Sequence, residues 1–174
     1  MSARREGWWR GFALLALAPL ALVSDCGNPG AGAGGSQTEQ RELIATVTEV
    51  VDGDTIEVRL ADGAVEDVRY IGIDTPESVD PDQPVQCFGR RAARANEGLV
   101  GGREVTLRLG AERRDHYGRL LAYVYVDRRL VNAALVRRGL ARTLTIAPND
   151  SLAPLFARLA GAAGRAGRGL WGAC

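Results

Sequence analysis

The sequence contains no lysine: all 22 of its basic residues are arginine. Any anion site must therefore use guanidinium groups, which stay charged and hold oxyanions through paired hydrogen bonds. Histidine occurs once and cysteine three times, which argues against a zinc site of the usual Cys/His kind. Excess charge is missing as well: the net charge is +1, so there is no overall basic pull on polyanions. Long apolar runs are missing too. The longest, GFALLALAPLALV, has 13 residues, too few to span a bilayer. What remains is 174 residues, 46% of them hydrophobic and 25% charged, enough for one soluble domain with a real core.

The 13-residue run follows Arg4, Arg5 and Arg10, the charged front of a secretory signal. Residues 1–25 therefore read as a signal peptide. Residues 26–42 read as a flexible Gly-rich linker, and residues 43–174 as the folded domain. VSDC resembles the lipobox of bacterial lipoproteins, which would lipidate Cys26 and anchor the chain to a membrane. Asp25 departs from the small uncharged residue usual there, so Cys26 is either lipidated or removed. The protein is expected outside the cytoplasm, secreted or anchored. Export leaves Cys87 and Cys174 as an even pair in an oxidising compartment, and a disulfide between them is expected.

Charge is unevenly spread. Residues 39–86 hold 13 acids and 3 arginines, and residues 87–174 hold 6 acids and 16 arginines. The second half therefore suits a polyanion surface, or the two halves attract each other in the fold. Strands are expected at 43–51, 55–60, 65–73, 104–109 and 119–126, with an Asp-Gly hairpin turn at 61–63. Helices are expected at 88–100 and 131–139. A third should be capped by Asn149 or Asp150, with Leu152, Leu155, Phe156 and Leu159 on one face. Three strands, a helix, two strands and two helices suit an α+β chain built on a small five-stranded barrel of the OB type with three α-helices.

Polar residues interrupt these apolar strands. VVDGDTIEV places Asp52 and Asp54 in a β-branched run, with Gly53 expected to allow a bulge. RYIGIDTPE supplies Arg69, Asp74, Thr75 and Glu77 at the end of the third strand. If the hairpin centres on Asp62, Asp54 pairs near Tyr70, and a shift of a few residues brings it close to Asp74. Two carboxylates converging with carbonyl oxygens make a site for a hard cation such as Ca²⁺. DHYGR adds Arg119, and two guanidiniums beside a dication can clamp a phosphate. Glu77 can serve as general base toward water. His116 reads as a solvated loop residue.

VVDGDTIEV, RYIGIDTPE, DHYGRLLAYVYV and VNAALVRRGLA together resemble the staphylococcal nuclease (thermonuclease) family, from about Ala45 to Trp171. The resemblance implies an OB-fold barrel and a Ca²⁺-dependent phosphodiesterase acting on DNA and RNA to leave 3′-phosphates, and the protein is expected to be a monomer. It places Ca²⁺ on Asp54, Asp74 and the carbonyl of Thr75. It gives Arg69 and Arg119 the scissile phosphate, Glu77 the role of general base and Tyr117 a place in the nucleotide pocket. Asp52 stands beside the ligands. ARTLTIAPND departs from the family, with Thr145 and Ala147 where base-stacking tyrosines are usual. Two other readings are a non-catalytic nucleic-acid-binding module of the same fold and an exported Ca²⁺-binding lipoprotein.

Overall fold

The computed structural model describes residues 42–78 and 85–174. The signal peptide, Cys26 and the linker as far as residue 41 lie outside the described residues. In chain order the elements are β1 (Glu42–Val50), β2 (Thr55–Leu60), β3 (Val65–Tyr70), β4 (Ile73–Asp74), α1 (Gly89–Val100), β5 (Glu104–Arg114), β6 (Leu120–Val126), β7 (Arg129–Leu130), α2 (Val131–Arg137), β8 (Arg142–Thr143), α3 (Ala153–Arg165) and α4 (Leu170–Ala173).

β1, β2 and β3 form an antiparallel meander, and β5 and β6 continue the sheet from the other edge of β1. The sheet closes where β6 runs parallel to β3, with Val68 opposite Leu120 and Tyr70 opposite Ala122. The result is a closed five-stranded mixed barrel carrying three helices and the single-turn α4, the OB-type α+β architecture. Alternation builds its interior. Ile56 and Val58 of β2, Val105 and Leu107 of β5, and Ala122 and Val124 of β6 are buried at spacings of two. On α1 the stripe of Ala92, Asn96 and Val100 is buried. α3 adds Phe156, which is 1% exposed and sits against Gly72, where a Cβ would lie 2.4 Å from the ring. Gly72 also has φ +81°, so that turn admits no larger residue without strain.

Several boundaries differ from the sequence reading. Asp52, Gly53 and Asp54 do not bulge a strand: residues 51–54 are the connection between β1 and β2. The irregularity lies earlier, between Val47 and Glu49. β3 stops at Tyr70 because Gly72 turns the chain. Ile73 and Asp74 then pair with Thr143 and Arg142 in a separate two-stranded sheet. β5 runs on to Arg114 through Gly110 and the exposed Ala111, Glu112 and Arg113, which carry no apolar alternation. α3 starts after Leu152 without a side-chain cap. Asn149 instead bridges to β5, accepting from the Glu112 N–H at 3.0 Å and donating to the Glu112 carbonyl at 2.8 Å. Glu42 belongs to β1, not to the linker. The short α4 follows the GRAGRG segment, and Cys174 beyond it is joined to Cys87 by a disulfide, their Cα atoms 6.0 Å apart.

Candidate active site

The loop between β1 and β2 is shaped by its own acid. The Asp52 carboxylate accepts the Asp54 N–H at 2.9 Å, an Asx-type turn. The backbone N–H groups of Val51 and Asp52 both donate to the Thr55 carbonyl. Asn96 of α1 fixes the loop from behind, donating to the Asp52 carbonyl at 3.0 Å and accepting the Tyr70 hydroxyl at 3.0 Å. Burial keeps the Tyr70 phenol protonated. At Gly53 a Cβ would meet Thr75 Oγ1 at 2.6 Å and Ala92 Cβ at 2.7 Å, so only glycine lets the loop press onto both neighbours.

This packing holds Asp54 at 0% exposure. Its Oδ2 accepts the Thr75 N–H at 2.7 Å, and its Oδ1 is ion-paired with Arg69. The other arm of Arg69 reaches Asp74 Oδ1 at 2.7 Å, so one guanidinium bridges two carboxylates. Burial pushes the Asp54 carboxyl up to about 7. The Arg69 charge and the Thr75 N–H oppose the rise, and Asp52 and Asp74 add to it. A carboxylate this short of compensation favours additional positive charge beside it.

The parallel closure brings in the second arginine. Leu121 lies opposite Arg69, so Arg119 enters β6 at the same end of the barrel. Its Nε–H donates to Asp115 Oδ2 at 2.8 Å, and Asp115 Oδ1 accepts the backbone N–H groups of Tyr117 and Arg119, each at 3.0 Å. Burial works against the Asp115 charge, but the Arg119 hydrogen bonds outweigh it and hold the carboxyl below its usual range. The guanidinium lies 5.3 Å over the ring of Tyr117, which is 75% exposed. His116 lies against the same tyrosine, with ring centroids 3.7 Å apart and the planes tilted by 42°.

Glu77 is held through its backbone. Its N–H donates to Gln86 Oε1 at 3.2 Å, its carbonyl accepts the Gln86 N–H at 2.9 Å, and its Oε1 accepts the Ser78 N–H. Gly89 opens α1 directly against it: a Cβ there would lie 2.4 Å from the Glu77 carbonyl.

A cavity of about 370 Å³ takes in Arg69, Arg119 and Asp115 on its polar side and Leu121, Leu144 and Ile146 on its apolar side. Thr145 and Ala147 are not in its wall. In extended chain, alternate residues share a face, so the pair that lines the cavity is Leu144 and Ile146.

The family model described as staphylococcal nuclease homologue matches residues 67–173. The chain belongs to that family. It is 39% identical over 140 residues to the thermonuclease of Staphylococcus intermedius, covering 80% of this chain and 83% of that protein. It is 42% identical over 113 residues to the endonuclease YncB of Bacillus subtilis (strain 168), and 40% identical over 108 residues to the thermonuclease of Staphylococcus hyicus. These two matches cover 64% and 62% of this chain, and the chain spans 53% and 63% of those two proteins.

In this staphylococcal nuclease homologue, then, Asp54, Arg69, Asp74 and Thr75 are joined by direct contacts, and Arg69 and Arg119 share one cavity. Asp52 acts through the loop backbone. Among the described residues no three His, Cys, Asp or Glu side chains gather into a ready-made cage for a metal. The two carboxylates that Arg69 joins are Asp54 and Asp74. The sequence reading missed Asn96 and Gln86. Asn96 had a signal: a polar residue on the stripe of Ala92 and Val100 must find a buried partner. Gln86 had none, because its role depends on the fold of the loop.

Proposed function

We propose that the chain is an exported, Ca²⁺-dependent nuclease that hydrolyses phosphodiester bonds in DNA and RNA. The observation that carries the reading is the wholly buried Asp54, tied through Arg69 to Asp74, with Arg119 sharing the cavity next to it. The donor set fits a hard cation: it is all oxygen, and Asp54 is raised to about 7 by burial even with Arg69 beside it. Asp54, Asp74 and the Thr75 carbonyl would hold Ca²⁺, which supplies positive charge to the phosphoryl oxygens when bound. Arg69 and Arg119 donate to the same oxygens and stabilise the charge that develops on them. Glu77 takes the proton of the attacking water. In-line attack then breaks the 5′ P–O bond and leaves a 3′-phosphate. The cavity beside the arginines receives the flanking nucleotide, with Tyr117 exposed near Arg119. The bridge between Cys87 and Cys174 suits an oxidising compartment. The arginine-led N-terminus reads as an export signal, with Cys26 as the point of a lipid anchor or lost with it. The active unit is a monomer in this reading.

The test is incubation of the purified domain with single-stranded DNA and with RNA, in Ca²⁺ and in EGTA. Both substrates should be cut in Ca²⁺ only. Undiminished cutting in EGTA would overturn the cation assignment. Tight binding with no cutting in either condition would make the chain a non-catalytic module.

A further inference from the structure

We propose that the outer face of α1 is a second contact surface for the nucleic-acid strand, separate from the catalytic centre. It rests on the nuclease reading above. Arg90, Arg91 and Arg94 are all exposed, and at 100° per residue they share one helix face. Among the described residues none of the three has a carboxylate partner; several other exposed arginines share that, but these three stand together on one face of α1. Their placement works against the helix. The N-terminal end is already positive, Arg90 and Arg94 repel one turn apart, and the first turn contains no acid. Helix stability therefore does not account for them, and a polyanion partner does.

The arginines line a shallow groove with Val85, Gln86 and Phe88. The Arg91 guanidinium lies 4.7 Å over the Phe88 ring. Phe88 has φ +71°, a conformation costly for a residue with a bulky side chain and usually kept where a site requires it. Arginine interleaved with an aromatic ring is the chemistry that holds single strands, through phosphates and base faces. The groove is continuous with the catalytic loop: Gln86 holds the Glu77 backbone, and Gly89 packs on the Glu77 carbonyl. A strand leaving the scissile phosphate past Glu77 crosses the three arginines. A substrate of one or two nucleotides does not reach them.

The test uses the mature chain with Arg90→Gln, Arg91→Gln and Arg94→Gln combined. Binding of a labelled single strand of about 20 nucleotides is followed by fluorescence anisotropy in EGTA across a salt series. Losing three phosphate contacts should lower the slope of log K against log salt by about 2. Cleavage of a nitrophenyl ester of thymidine phosphate should be unchanged, and the combined Arg90→Lys, Arg91→Lys and Arg94→Lys variant should keep the wild-type slope. An unchanged slope in the Gln variant overturns the proposal. So does an equal loss on the nitrophenyl substrate, which would put the arginines in the catalytic centre or in folding. Lost binding to phosphatidylglycerol vesicles with DNA binding intact would overturn it in favour of a membrane face. If the wild-type chain binds DNA but cuts nothing, the nuclease reading fails while the slope still decides the α1 surface.

Discussion

Arg69 and Arg119 look alike in sequence but stand in different surroundings. Arg69 neutralises Asp54 at 0% exposure, whereas Arg119 pairs with Asp115, whose side chain is 14% exposed. Arg119→Ala should therefore cut kcat by about 10²–10³ with little change in stability. Arg69→Ala should cost a similar factor in rate. It should also destabilise the fold by up to about 3–5 kcal/mol, because it strands a buried charge. Steady-state kinetics and urea unfolding of the two variants separate these effects, and a loss of about tenfold or less at both positions would remove both arginines from the chemical step. Asp54→Asn should remove hydrolysis while the chain stays folded. Asn96→Ala orphans the Tyr70 hydroxyl and the Asp52 carbonyl and should cost about 2–4 kcal/mol in urea unfolding. The charged residues stood out in the sequence because they interrupt β-branched runs; in the structure Asp52 shapes the turn between β1 and β2 and Arg69 pairs with Asp54. Asn96 was not singled out, because its partners lie 26 and 44 residues away.

At the level of elements, period-two alternation and the Asp-Gly turn located the meander, and the expected pairing of Asp54 near Tyr70 matches the structure, where the Tyr70 N–H donates to the Asp54 carbonyl at 2.9 Å. The short sheet of β4 and β8 was not legible: strands of two residues leave no periodicity. That sheet sets the cavity wall, since the Leu144 N–H continues the pairing to the Gly72 carbonyl at 3.1 Å and so fixes which alternate residues face inward. Ile146 is 59% exposed and offers no ring for a base. Ile146→Tyr should lower KM for an oligonucleotide by about fivefold or more, the low end of one stacking contact, with kcat unchanged; an unaltered KM would mean that bases do not visit this wall. Phe156, wedged on Gly72, anchors α3. Phe156→Ala should cost about 3–5 kcal/mol, read as a lower urea midpoint.

For the whole molecule, the C-terminal end is held in two ways. Leu170 is 3% exposed and its N–H donates to the Gly139 carbonyl at 2.9 Å. The disulfide joins residues 87 positions apart, and closing so long a loop is worth roughly 4–5 kcal/mol on the chain-entropy estimate. Cys174→Ser, or reduction, should lower the melting temperature clearly while leaving the catalytic residues in place. A melting temperature that reductant does not shift would mean that Leu170 alone suffices.

The seam between β3 and β6 also governs timing. Arg69 and Arg119 are 50 residues apart in the chain, and they meet only when β6 docks beside β3. Pairings this distant in sequence form late and slowly compared with local hairpins. A chain still on the ribosome therefore carries both arginines without the cavity they share. In refolding from urea, nuclease activity should return with the slowest step and never ahead of it.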